Sequence, residues 1–486
     1  MPRLARLRRN FPAIPGGLLA LGIVAGLFAG TAPPLRAGPE AGGSTETISV
    51  EEARAGLRLA LAAGETAVAA ELATALVRGL PKDFAARAAL TEVLIRQSRA
   101  KEAMASARRA QALARGEAQI FEASLLRARA SGISGGAIDG VIAGYWARRA
   151  IQEAPLDGYK VLARGEAQRL RTTAPLQLQF SFAAMPSSNV NNGSQEHEIT
   201  LPGWGGITWA LSPQSRALSG WIGEATLAGR YRLAEGATSA RSLNFALHHR
   251  AVRLSSEAKA AISDWRASRA AAGQDVPEMP RYDYSVLELG LSERRALGAG
   301  IWSLSGGLGH ARFGGRSLHD SLRLETGYEA AWRQRRVSLA MNFEKQWGAE
   351  GAASDAEILG LELGLQQQLG SGDLLKFGGL LRQAQSASLD QRHEAFGLRM
   401  GWAKSAPVAG LRLEASLGAE WRRYDPSLLS GRRDLRLDGG VTVGIERLEY
   451  MGFSPALHLN LGRVKSNVRL YEGTNTGISL RLRSVF

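Results

Sequence analysis

From Pro175 onward, apolar side chains fall at every second position in one segment after another. Side chains alternate across a strand, so the pattern describes a wall with one oily and one polar face. Leu411, Leu413, Ala415, Leu417, Ala419 and Trp421 alternate with Arg412, Glu414, Ser416, Gly418 and Glu420. Leu322, Leu324, Tyr328 and Trp332 stand against Arg323, Glu325, Glu329 and Arg333, and Leu435, Leu437, Val441, Val443 and Ile445 against Arg436, Asp438 and Glu446. A soluble sandwich also alternates but hides its apolar face. Segments of about ten residues, separated by Gly, Ser, Asp or Pro turns and aromatic at their ends, predict instead a transmembrane antiparallel β-barrel. Counting Ile207 to Leu211 as a strand gives about fifteen; single-chain bacterial barrels have even numbers, so that segment is demoted and about fourteen strands are expected.

Residues 46–172 carry a different period. Ala, Leu, Arg and Glu recur at helical spacing, and Gly64, Pro81, Gly116, Gly135 and Pro155 punctuate candidate helices at Val50 to Ala63, Glu65 to Arg78, Asp83 to Gln97, Lys101 to Leu113, Glu117 to Ala130, Ala137 to Gln152 and Tyr159 to Leu170. Small residues such as Ala88, Ala89, Ala103 and Ala107 permit close helix approach. Pairing at a spacing of about 34 residues predicts an α-solenoid resembling degenerate tetratricopeptide repeats, which offers a concave surface to an extended client. A plug or structural spacer is the alternative.

Composition then narrows the class. Mean hydropathy is -0.12, and past the N-terminus no run of about 18 apolar residues is present to cross a bilayer as a helix. With no Cys, the chain has neither disulfides nor a thiolate metal site, and it is not itself acylated on an N-terminal Cys. Residues 1–37 read as a signal peptide: Arg3, Arg6, Arg8 and Arg9 form a positive region, Gly16 to Gly30 an apolar one, and Ala32 or Ala37 offers a cleavage site. Residues 38–45 are a linker, 46–172 a periplasmic helical domain and 173–486 the barrel. Removing the leader with Arg36 takes the formal net charge from +15 to about +10. The Arg residues alternate with Glu instead of clustering, which argues against nucleic acid as a partner.

Motifs at the two ends of the barrel add specificity. Pro175 to Asn192 starts an alternating strand and runs into the turn Pro186, Ser187, Ser188, Asn189, Val190, Asn191, whose side chains can bond their own backbone. Near the other end stand Trp421 to Asp425, Arg432, Arg433 and Asp434, Gly452 to Pro455, Lys465, Ser466 and Asn467, then Tyr471 and Glu472. In this order and spacing, and following a helical domain, the set resembles the surface lipoprotein assembly modifier (Slam) family, with Ser187 where that family usually carries Asp. The resemblance implies an outer-membrane translocator that helps lipoproteins, or related secreted haem- and metal-binding proteins, reach the cell surface. It also implies structural or client-contact roles for Pro186, Ser188, Asn189, Asn191, Arg433, Pro455, Lys465, Ser466, Asn467 and Tyr471. For Lys465, Ser466 and Asn467 the two roles weighed are ordering a rim loop and touching client. The end of the chain, with Ile478, Leu480, Leu482 and Phe486 spaced toward a terminal aromatic, resembles the recognition signal for outer-membrane barrel assembly. Expected partners are therefore the client, the barrel assembly machinery, periplasmic chaperones and outer-membrane lipid, with no cofactor.

Nothing in the sequence demands catalysis. His248 and His249 are adjacent on a strand and point to opposite faces. His310 and His319 could meet across one hairpin, but no acidic cluster with ligand spacing accompanies them, and an inward His458 beside Asn460 reads as a solvated wall. Gly306 to Gly309 are strand glycines, since no helix follows them. Ser255 to Arg281 breaks the alternation with a short helical pattern, Ala258 to Ala271, and reads as a gating insert or a mobile loop. The competing function is a polysaccharide-export porin with a periplasmic repeat domain, for which a longer repeat array and an acidic or aromatic lumen track would be expected.

Overall fold

The computed structural model describes residues 48–200, 207–426 and 431–484. The expected signal segment, the linker 38–45 and Phe486 lie outside the described residues. Two compact units are present, one extending to Ser134 and including Arg149–Ala163, the other made of Gly135–Arg148 and the chain from Arg164 on.

Among the described residues seven helices come first: α1 (Val50–Ala63), α2 (Thr66–Gly79), α3 (Phe84–Arg96), α4 (Ala100–Leu113), α5 (Gly116–Gly132), α6 (Ala137–Glu153) and α7 (Asp157–Thr173). Their ends follow from local chemistry. Ser49 caps α1 by accepting from the Glu52 N–H while the Glu52 carboxylate accepts from the Ser49 N–H, and Gly64, at φ 80°, ends that helix in a left-handed conformation. Asp83 accepts from the N–H groups of Ala85 and Ala86 to start α3. From α1 to α5 each helix packs on the next, and α3 also touches α5. The core is built largely of alanine: Ala53, Ala69, Ala73 and Ala86 surround Leu76 and Val93, while Ala88, Ala110 and Ala123 pack with Phe84 and Leu126. Ala103 and Ala107 are buried as their spacing suggests, and Ala89 is partly buried against the first cluster. Thr91, wholly buried, is satisfied by Ser106 Oγ and the Arg87 carbonyl, each at 2.8 Å.

The second unit carries a closed antiparallel barrel of fourteen strands. They are β1 (Leu176–Ser187), β4 (Gly220–Glu235), β5 (Ser239–Leu254), β6 (Tyr284–Leu297), β7 (Gly300–Phe313), β8 (Arg316–Trp332) and β9 (Arg335–Gly348). The ring continues with β10 (Ala356–Gln368), β11 (Leu374–Ser386), β12 (His393–Ala403), β13 (Leu411–Tyr424), β14 (Arg433–Ile445), β15 (Phe453–Ser466) and β16 (Gly473–Ser484). The short strands β2 (Glu198–Thr200) and β3 (Thr208–Ala210) pair only with each other, so the segment Ile207 to Leu211 stays out of the barrel, as the even-number rule requires. A further helix, α8 (Ser256–Ala271), interrupts the connection between β5 and β6 and is capped by Ser255.

Alternation sets the two faces. On β13, Leu417 is 67 % exposed on the outer wall while its inward neighbour Glu420 is 8 % exposed. Outward aromatics lie near strand ends, with Trp221, Trp347 and Trp421 at the end away from the chain termini and Tyr231 and Trp332 at the other, as two interfacial girdles require. Leu308, Leu363 and Leu461 fill the band between them.

Candidate functional site: the lumen and its distal rim

Going inward from the lipid face, the lumen wall divides by charge. Strands β6, β8, β9 and β10 contribute Glu288, Glu325, Glu344 and Glu362 around a cavity of about 510 Å³, with Arg323 tying Glu288 (2.8 Å) to Glu344 (2.9 Å). Strands β11 to β14 contribute Arg382, Arg399, Arg422 and Arg436 around a second cavity of about 850 Å³, where Glu420 and Asp438 supply carboxylates. Arg382 lines both. Both arcs thus carry charges of both signs, with Arg323 among the carboxylates of the first and Glu420 and Asp438 among the guanidinium groups of the second.

The distal rim, at the end opposite the termini, is ordered by side chains that reach across loops. Asn189 closes its own turn by donating to the Gly193 carbonyl (2.9 Å) and accepting from the Gly193 N–H (2.8 Å). Asn191 donates to the carbonyls of Gln214 and Arg216 and accepts from the Leu218 N–H at 2.9 Å, stitching the first long loop to its return. Gly193 is needed there, since a Cβ would lie 2.2 Å from the Arg216 oxygen. This turn does not stand alone. Val190, Leu218 and Ile222 form a buried apolar cluster with Ala258 and Ile262 of α8, with Met185 and Val252 packed against it. Met185, Ile222 and Val252 occupy inward register positions, so α8 lies over the lumen side of the rim and is a packed insert, not a mobile loop.

The late loops form a second knot. Arg432, nearly buried, holds Asp434 through both nitrogens of one edge, and its guanidinium lies 4.1 Å from the Tyr424 ring and 3.3 Å from the Tyr471 ring. His393 packs on Tyr424 with ring centroids 5.1 Å apart. Asn467 accepts from the Arg433 N–H (2.6 Å) and donates to the Gly431 carbonyl (3.1 Å). Ser466 Oγ accepts from the Val468 N–H. Both side chains therefore order the rim.

Of the residues singled out by sequence, Asn189 and Tyr471 line the larger cavity together. Ser188 and Pro186 are exposed at the end of β1, and Lys465 is exposed on the outer wall opposite Leu435. Pro455 sits at the other end of the barrel opposite Leu482, away from the cluster. Ile478, Leu480 and Leu482 are exposed on the outer face of β16. Arg433 contributes its main chain; Arg432 is the side chain that binds, a distinction readable from alternation because 432 and 434 share the inward parity of β14. His248 bonds Thr226 and His249 bonds Ser285, on opposite faces as adjacency requires. His310 pairs with Asp320 at 2.8 Å, and His319 lies opposite Ala311, on the other face. Among the described residues no group of three His, Asp or Glu is placed to hold a metal.

Comparison with solved structures finds other barrels. The outer membrane channel DcaP of Acinetobacter baumannii covers 63 % of this chain and 96 % of its own at 9 % identity and a TM-score of 0.35. An outer membrane channel from Pseudomonas putida covers 64 % of this chain and 96 % of its own at 12 % identity (TM-score 0.31), and OmpT of Vibrio cholerae covers 63 % and 97 % at 7 % identity (TM-score 0.32). No curated protein matches the sequence. Residues 322–486, which contain the late rim knot and the closing strands, match the family described as "Surface lipoprotein assembly modifier", the family that the terminal motifs resemble.

Proposed function

We propose that this protein is an outer-membrane translocator that promotes the surface assembly of particular lipoproteins, or of related secreted haem- or metal-binding proteins. The observation that carries the reading is the family match over residues 322–486, the stretch in which Tyr424, Arg432, Asp434, Asn467 and Tyr471 build an ordered rim. In this reading residues 1–37 direct export, the helical region 46–172 faces the periplasm and engages client, and the barrel 173–486 conducts it or assists its passage. Walls of opposite charge suit a polypeptide of mixed sequence, because neither wall alone grips it. The barrel assembly machinery, guided by the C-terminal signal, and periplasmic chaperones are its partners before it functions. Catalysis has no part in this reading.

The test compares intact cells of a deletion strain with the parent by surface proteolysis and mass spectrometry. A small set of lipoproteins should be lost from the surface while still being made and lipidated, and should return on complementation. An unchanged surface protein set together with lost exopolysaccharide would replace the reading with polysaccharide export.

A further inference from the structure

One ladder of the barrel is unlike the others. Where β1 meets β4 the register runs unbroken from Leu176↔Tyr231 to Ser187↔Gly220, and β15 meets β16 from Phe453↔Ser484 to Val464↔Gly473. Between β1 and β16, the two strands that close the ring, the described residues pair only from Ser181↔Arg483 to Ala184↔Leu480. Beyond Ala184, toward the distal rim, Met185, Pro186 and Ser187 stand opposite Ser479, Ile478 and Gly477 without a rung. Pro186 contributes to this, since it has no N–H to give a ladder. In place of main-chain rungs, the upper part of β16 receives one side-chain bond from the first loop, Gln195 Nε2 to the Thr474 carbonyl at 3.2 Å, and that bond is exposed.

The two faces of this short seam differ sharply. Outside it are Phe180, Phe182, Ile478 and Leu480, all exposed to the bilayer. Inside it Ser479 is wholly buried, bonded to the His458 carbonyl, and Arg481 donates to Ser479 Oγ. A seam of this kind joins a charged bore to hydrocarbon across a single short ladder. An acyl chain gains nothing in a bore lined by Arg and Glu, whereas the polypeptide attached to it cannot remain in the lipid.

We propose that the β1–β16 seam opens sideways, and that it is the route by which a lipid-anchored polypeptide keeps its acyl chains in the bilayer while its polar chain occupies the lumen. This rests on the lipoprotein-assembly reading and names how the barrel handles the anchor. Edge strands with few rungs part at low cost, because each backbone pair released is one fewer to replace.

The absence of cysteine makes a direct test available. In the full-length protein in cells, Ala183→Cys with Arg481→Cys bridges the seam, and Leu227→Cys with Leu247→Cys bridges β4 to β5 as a control. The readout is the fraction of palmitate-labelled protein accessible to external protease. Oxidation of the seam pair should lower that fraction to the level of the deletion strain, reductant should restore it, and the oxidised control should match the parent. Parental accessibility with the seam oxidised would overturn the proposal. Amide exchange on the purified protein separates this from failure of the functional reading. Of the amides of Ser181–Ala184, those that donate across the seam should exchange at least tenfold faster than those that donate to β4; equal rates would also overturn it. If accessibility does not depend on this protein at all, the lipoprotein reading fails and the exchange result alone decides whether the seam opens.

Discussion

The helical region and the barrel use the same apolar residues in opposite senses. In the first, Leu76 and Val93 are hidden among alanines. In the second, Leu308 and Leu417 face outward and the middle is given to Glu, Arg and Asn. The difference shows that burial alone does not define a core: these leucines sit where water is absent, and in the barrel that place is the bilayer. It follows that the two regions should respond differently to the same substitution.

The largest contrast is expected from Leu76→Ala against Leu417→Ala. The first leaves a cavity in packed surroundings and should cost about 2–5 kcal/mol, read as a lower denaturation midpoint of the helical region. The second removes contacts only with lipid, which refills the space, so heat-modifiable mobility of the barrel should stay close to wild type; an equal loss at both sites would break the comparison. Leu417→Arg sharpens it next. A cation on the lipid face should destabilise the folded barrel by about 2–4 kcal/mol near mid-bilayer, measured by urea titration in liposomes, and an unchanged midpoint would mean that Leu417 does not meet hydrocarbon.

The smallest effect concerns pH at a turn outside the bilayer. Asp373, between β10 and β11, accepts from the Ser405 N–H at 3.1 Å and from Lys404 Nζ at 3.1 Å. The Ser405 backbone bond, opposed by burial and joined by the Lys404 and Ser405 side chains, holds its carboxyl down at about 2. A lowered value means that the carboxylate's contribution is complete above the ordinary aspartate value of about 3.9 and is lost as pH falls through about 2. Amide exchange at Ser405 should therefore be protected evenly, after correction for intrinsic rates, from pH 7 down to about 4.5. Protection should then fall toward pH 2, and Asp373→Asn should abolish that step.

Much of this organisation is legible in the sequence because it depends on near neighbours. The period-two run Leu411 to Trp421 lies in β13, the helical pattern after Ser255 is α8, and the isolated Ile207 to Leu211 contributes only β3, outside the barrel. What the sequence does not display is which distant residues meet. Alternation says that Arg432 and Glu288 face inward, but only closure of the ring brings Tyr424 and Tyr471 to either side of Arg432 or gathers four carboxylates on one arc. The packing of α8 on Val190 and Leu218 is equally invisible, since its helical pattern fits a free loop as well as a docked one. The shortness of the closing ladder depends on register, which strand patterning alone leaves open.

The uneven division of charge around the bore sets up a field that points across it instead of along it. Carboxylates on β6, β8, β9 and β10 and guanidinium groups on β11 to β14 give the bore a dipole across its width, on which a segment with separated charges of its own would feel a torque, as a compass needle does.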